Sequence, residues 1–324
     1  PIFDAMQQLT QPHESVLEVL GIDTRTVWPT PGLREAALDE ADEVTNDWGV
    51  TRTKVAGSWY YDITSCPLAK AEQEDLERFA FPDPNRLNPY AGFAQRFQAL
   101  PAEYARVIDP TGSVPFQDSV SLRGFEEFLV DLMVNRSFAE KLMQRVLEHQ
   151  MAKLDNLFAE TGRNIDVMKM ADDLGAQDAP LISPQLYRDA IKPFHKALVS
   201  FIKERCDAKV LFHSDGAIKP FIEDLIEAGV DVLNPIQVTA AGMEPQTLKR
   251  EFGDRICFWG GIDTHTVLPH GSKADVEREV KTRIDQLAPG GGFILAPVHN
   301  IQPDVPPENI STMYQTALTY GQND

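Results

Sequence analysis

The sequence predicts an α/β fold of the (β/α)8 TIM-barrel type, and three observations predict it. From about residue 165 onward, five apolar runs each pass through a polar turn into a helical pattern: IDVMKMADDLG at 165–175, KVLFHSDG at 209–216, VDVLNP at 230–235, RICFWGGID at 255–263 and GGFILAPVHN at 291–300. Crossovers of this length require parallel pairing, and strands that are apolar along nearly their whole length suit a sheet covered by helices. Polar residues follow every strand: Asp172 and Asp173, His213 and Asp215, Asn234, Asp263 and His265, His299 and Asn300. In a barrel those strand ends converge on one mouth, whereas a doubly wound sheet uses one switch point along an open edge.

Up to about residue 107 the chain is rich in aromatics, prolines and turns, with WPTPG at 28–32, DWGV at 47–50, WYYD at 59–62 and FPDPN at 81–85. Helix-like runs are confined there to 34–43, 72–80 and 89–106. Proline fixes φ and ends one element before another begins. Residues 1–107 are therefore expected to be largely a helical and loop cap within one domain spanning 1–324. The apolar period over 125–160 reads as two helices. Ser183 and Pro184 fit the cap and first turn of a helix over about 184–204. Helices over 217–228, ending at Gly229, over 243–253, closed by Gly253, and over 273–287 follow successive strands, and a last one starts near 306–308.

Thirty Lys plus Arg against 49 Asp plus Glu give a formal charge of −19. That charge repels phosphate backbones and no Lys/Arg cluster breaks it, which excludes nucleic acid as a partner. Hydrophobic residues at 43% and charged residues at 24% describe a folded chain. Cys66, Cys206 and Cys257 lie far apart with no CxxC pair, so no disulfide framework is expected and a reducing compartment is. No run approaches 18 consecutive apolar residues, and residues 1–11 lack the pattern of a signal peptide. The expectation is a cytoplasmic protein with no membrane partner. GGG at 290–292 precedes its strand, so it is not a phosphate-binding loop.

His213 and Asp215 sit two apart at a strand end, so both side chains can reach one point. His299 closes the last strand in the same way. Imidazole with carboxylate suits a borderline-soft divalent ion such as zinc; the other reading is a structural hydrogen-bonded pair. Adjacent Asp172 and Asp173 can bind a cation, orient a hydroxyl or act as a base, or one can cap the turn. Asn234 and Gln237, and likewise Asn300 and Gln302, offer neutral hydrogen bonds to a substrate or to loop backbone. Asp263 is a further candidate contact, or a turn cap. Trp28, Trp48, Trp59, Tyr60 and Tyr61 either line an apolar pocket for an aromatic substrate or fill the space between cap and barrel.

The runs ADDLGAQDAPLISPQLYRDAIKPFHKAL (171–198), LFHSDGAIKPFIEDLIEAGVDVLNPIQ (211–237), FWGGIDTH (258–265) and GGFILAPVHNIQPDVPPENI (291–310) resemble the uroporphyrinogen decarboxylase superfamily. They are most similar to its branch of corrinoid-linked methyltransferases. The resemblance covers roughly 165–320, and 45–61 more weakly. It implies a distorted (β/α)8 barrel with a cleft at the strand C-termini. The arginine-rich N-terminal signature with which the true decarboxylases hold an acidic tetrapyrrole has no counterpart here; Arg25 and Arg34 stand in other contexts. In the zinc methyltransferases a His-x-Cys pair follows one strand and a further Cys ends the last one. The matching positions are His213 and Asp215, then His299, so both thiolates are replaced by other competent ligands. The resemblance thus implies a zinc ion held by His213, Asp215 and His299, and a methyl group passed from a small methoxylated donor, aromatic donors included, to the cobalamin of a partner corrinoid protein. Asp172, Asp173 and His213 would act on the reacting groups. Asn234, Gln237, Asp263, Asn300, Trp59 and Tyr60 would bind substrate. Two alternatives stand beside this reading: a metal-free decarboxylase or lyase of a small acid with Asp173 as proton donor, and a non-catalytic small-molecule-binding barrel.

Overall fold

The computed structural model of the protein describes residues 2–4, 9–28, 42–55, 61–85, 90, 92–110 and 114–321. Seven strands form one sheet: β1 (Thr24–Val27), β2 (Ala105–Ile108), β3 (Val167–Ala171), β4 (Lys209–His213), β5 (Val232–Asn234), β6 (Cys257–Ile262) and β7 (Phe293–Pro297). Every neighbouring pair is parallel, and the order across the sheet is the order along the chain. A doubly wound sheet reverses its strand order at a switch point; this one does not. The winding is that of a TIM barrel, with seven strands among the described residues.

β1 and β2 fall within the stretch that the sequence places largely in the cap. Each has four residues, too few for periodicity to separate from irregular chain. β1 alternates half-buried and buried positions through TRTV, and β2 reads ARVI. The helical run anticipated over 89–106 shrinks to Phe93–Gln98, and the chain passes Pro101 into β2. The helix anticipated over 184–204 is two, Pro184–Ala190 and Lys192–Arg205. Pro193 explains the break, since it has no N–H to donate back and its ring crowds the preceding turn. Ser183 caps the first of them, its hydroxyl accepting from the Leu186 amide at 3.1 Å. Gly229, with φ of 99°, closes the helix Ile222–Ala228 in the left-handed region.

Helices Phe125–Val134 and Arg136–Thr161 contribute Phe128, Leu132, Phe138, Leu142, Val146 and Leu157 to the main core between helices and sheet. A separate small cluster of Val107, Val167, Leu211 and Val232, with Cys257 and Trp259 against it, fills the barrel interior. In barrels of this type the interior is packed and sites lie at the strand C-termini. The strands Glu43–Thr45, Thr51–Lys54 and Tyr61–Ser65 form a separate antiparallel sheet. In the turn between its first two strands, Asn46 Oδ1 accepts from the Trp48 and Val50 amides at 3.0 Å. Trp48 packs edge-on against Phe81 and His149, with centroids 5.3 and 4.5 Å away. Trp48 therefore joins the cap to the helical layer. Among the described residues no helix is long and apolar enough to cross a membrane.

The turns after β3 and β4 approach backbone to backbone. A Cβ on Gly216, whose φ is +87°, would meet Gly175 C at 2.5 Å and Ala176 O at 2.7 Å. Gly216→Ala is expected to cost about 2–4 kcal/mol, the left-handed penalty plus the steric clash. Gly242→Ala, at φ +74° with open space around it, should cost only about 1 kcal/mol. Chemical denaturation of the two variants checks the difference.

Candidate metal centre

β3 and β4 are paired so that Ala171 faces His213. The ladder runs one rung further, because the Asp172 amide donates to the His213 carbonyl at 3.0 Å. Successive side chains on extended backbone point to opposite sides, so Asp172 and Asp173 part company. Asp173 faces the mouth, where its Oδ1 accepts from the Asp215 amide at 3.0 Å and its Oδ2 from Gln117 Nε2 at 3.4 Å. The Leu174 amide donates to Ser214 Oγ at 2.9 Å and the Ala217 amide to the Ala176 carbonyl at 2.8 Å. These bonds lock the two turns together and bring their carboxylates to one place.

Asp173, His213 and Asp215 each offer a ligand atom within 4.8 Å of the others, a spacing that could hold a metal ion. His213 Nε2 lies 3.6 Å from Asp215 Oδ2, and His299 Nε2 lies 3.8 Å from the same oxygen. Both exceed a normal hydrogen bond, yet donors about 2.0–2.1 Å from a tetrahedral ion stand about 3.3 Å apart. One imidazole and two carboxylates therefore fit a divalent cation, with Asp173 in the compact group and His299 beyond Asp215.

The tautomer of His213 follows from its neighbours. Asn234 Nδ2 donates to the Trp259 carbonyl at 3.2 Å, a group that can only accept. Asn234 must then turn Oδ1 toward His213 Nδ1, 2.7 Å away, so Nδ1 carries a proton and Nε2 faces Asp215. This is how second-layer groups orient ligating imidazoles. Burial pulls the His213 pKa down, but Asp215 and Asp173 more than offset it, and the value is raised. Burial pushes Asp215 up, yet His213, then His299 and His265, hold it below the ordinary carboxylate range. For His299 burial prevails and the pKa is lowered. An ion at Nε2 would compete with a proton for that nitrogen.

The other anticipated residues separate. Asp172 is fully buried behind the mouth, accepting from the Phe116 and Gln117 amides at 3.2 and 2.7 Å and pairing with His195 at 2.7 Å. Burial raises its carboxyl well above the ordinary range despite those amides. Gln237 ties down the β4 turn by accepting from the Gly216 amide at 2.7 Å and donating to Gln177 at 2.8 Å. Asp263 caps its own turn, accepting from the His265 and Val267 amides at 2.8 and 3.3 Å. Asn300 lies in the segment after β7, next to His299, and its carbonyl accepts from Gln302 at 3.5 Å. Trp59 and Tyr60 lie outside the described residues. Sequence reasoning missed Gln117, Tyr187 and His195. A signal existed for His195: it shares the apolar face of its helix with Leu198, Val199 and Ile202.

Parallel strands wound in chain order, with imidazole and carboxylates gathered at their C-terminal ends, define a TIM-barrel protein with a candidate metal centre in the mouth. The chain belongs to the uroporphyrinogen decarboxylase (URO-D) family, which it matches over residues 70–320. It is 26% identical over 182 residues to uroporphyrinogen decarboxylase of Pseudoalteromonas translucida (strain TAC 125), covering 53% of this chain and 47% of that protein. It is 30% identical over 120 residues to the enzyme of the same name from Sodalis glossinidius (strain morsitans), covering 35% and 30%. The matched region thus spans about half or less of the length of these relatives. Its fold is shared with a methyltransferase from Methanosarcina mazei, at TM-score 0.69 and 17% sequence identity, over 98% of this chain and 86% of that one.

Asp118, one residue beyond Gln117, gives a pH test of this region. Burial pushes its carboxyl up to about 7, while Gln150 Nε2 at 2.6 Å and Lys153 pull it down and Asp172 pushes it up. A folded pKa above the unfolded one means that stability is fully present below the unfolded value and falls as pH rises toward the folded value. Asp118→Asn keeps an acceptor for Gln150 and cannot ionise. Its advantage over wild type in thermal or chemical denaturation should grow by about 1–2 kcal/mol between pH 5 and pH 8, after discounting for residual solvent.

Proposed function

We propose that the protein is a zinc-dependent methyltransferase, moving a methyl group from a small methoxylated substrate to the cobalt of a partner corrinoid protein. The observation that carries this reading is the convergence of Asp173, His213 and Asp215 ligand atoms within 4.8 Å at the open end of the barrel. Those three residues would hold the ion, with His299 adjacent to Asp215. When bound, the ion supplies Lewis acidity that draws charge from the substrate heteroatom as the methyl group leaves. The chain's own residues do the rest. Asn234 presents the His213 ring in one tautomer, Gln117 and the Asp215 amide fix the Asp173 carboxylate, and the β3 and β4 turns hold these groups at set distances. Binding and orientation are the main contributions a protein makes when a cofactor is the nucleophile.

A second reading, decarboxylation, draws support from the names of the curated relatives. Electrostatics favours methyl transfer. The mouth gathers Asp173 and Asp215, and the cation acting on His213 and His299, Lys169, is already paired with Asp109 at 2.7 Å. Carboxylates in a site under a net charge of −19 repel a polyacidic tetrapyrrole and accept a neutral or cationic methyl donor.

The test is incubation of zinc-loaded protein with cob(I)alamin and a panel of methoxylated aromatic and other small methyl donors, following methylcobalamin by absorbance. Zinc-dependent methylation is expected, reduced at least about 100-fold in His213→Ala, on the order of the loss of one electrostatic group in an active site. Chelator-insensitive release of CO2 from a small acid, with no methylcobalamin formed, would move decarboxylation ahead.

A further inference from the structure

Behind the mouth lies a buried polar chain that the proposed chemistry does not use. Tyr187, His195 and Asp172 are each fully buried. The Tyr187 hydroxyl is 3.0 Å from His195 Nδ1, and His195 Nε2 is 2.7 Å from Asp172 Oδ2. The His195 ring also stands edge-on against Phe212, with centroids 5.1 Å apart. We propose that His195, backed by Tyr187, is a positioning residue for the metal centre, acting through Asp172 and Phe212 on the strand ends that carry Asp173 and His213. The inference rests on the metal-centre reading for its chemistry.

His195 touches the residue immediately before each of two candidate ligands. Because neighbouring side chains on extended backbone point to opposite sides, gripping Asp172 and Phe212 on the helical side sets the direction of Asp173 and His213 on the mouth side. Asp172 carries the constraint to a third element. Its two oxygens hold the Phe116 and Gln117 amides at the start of helix Pro115–Arg123, and the Gln117 side chain returns to Asp173 Oδ2 at 3.4 Å. His195 thus determines both where Asp173 points and which donor meets it. A fully satisfied buried network fixes one arrangement, whereas an apolar substitute would leave Asp172 with an unmet bonding capacity in the core.

The test compares His195→Leu, His195→Gln and Tyr187→Phe. The Gln side-chain amide reaches roughly where the imidazole Nε2 stands and can present either its N–H or its carbonyl oxygen, so it restores a hydrogen-bond partner to Asp172. Zinc affinity, read by competition with a chromophoric chelator, should weaken at least about 10-fold in His195→Leu, as for loss of an outer-layer partner, and stay within about threefold of wild type in His195→Gln. Hydrogen exchange on metal-free protein should speed up in 114–118 and 172–176 for His195→Leu and leave peptides from the rest of the barrel unchanged. Zinc affinity within about threefold of wild type together with unaltered exchange there overturns the proposal. So does a uniform rise in exchange that His195→Gln does not relieve. If His195→Leu does not fold, Tyr187→Phe decides: faster exchange at 172–176 is expected, and no change there overturns the proposal. If wild-type protein binds no zinc, the metal-centre reading fails, and the metal-free exchange pattern still decides whether His195 positions these strand ends.

Discussion

The candidate centre depends on the register between β3 and β4 at their C-terminal ends. Ala171 opposite His213, and the Asp172 amide on the His213 carbonyl, put the first residues of both turns at one height. Strand alternation then sends Asp172 into the helical layer and Asp173 to the mouth. A slip of one residue would exchange them, leaving a carboxylate intended for the mouth in the core. Gly175 and Gly216 keep the register by letting the turns touch at distances no side chain allows.

Electrostatics gives this geometry its chemical character. Two imidazoles flank one Asp215 carboxylate, and they are unequal. His213, with Asp173 also near it, is raised, whereas burial leaves His299 lowered. An ion at this site would compete with a proton more strongly on His213 than on His299. The surrounding layer is satisfied through Asn234, Gln117 and Ser214, so the groups facing the mouth are held in place before anything binds.

Much of this was legible in the sequence because it is local. An apolar run ending in His-x-Asp states that two candidate ligands share a side of a strand, and the five strands from residue 165 appear as read, whereas the helix expected over 217–228 is confined to Ile222–Ala228 after a short 3-10 turn. Tertiary relations were not legible. Adjacent Asp172 and Asp173 look equivalent in sequence, and only the register separates a core anchor from a carboxylate at the mouth. Asn234 ends its strand and Asp263 follows its own as the sequence indicates; sequence leaves Asn234, Gln237 and Asp263 open between substrate and local contacts, and the contacts present join them to His213, a turn amide and their own turn. β1 and β2 were missed because four residues carry no decisive period, and Pro193 shows a single proline dividing a helix that hydrophobic spacing made continuous.

The most direct measurement is elemental analysis of tag-free protein purified without chelator, run beside Asp173→Ala, His213→Ala and Asp215→Ala. About one zinc per chain is expected in the wild type, matching the one-ion donor set of a single site, with its loss in all three variants while each remains folded. Wild-type protein that takes up no metal after incubation with zinc, or variants that retain it undiminished, would contradict the assignment of Asp173, His213 and Asp215 as a metal centre.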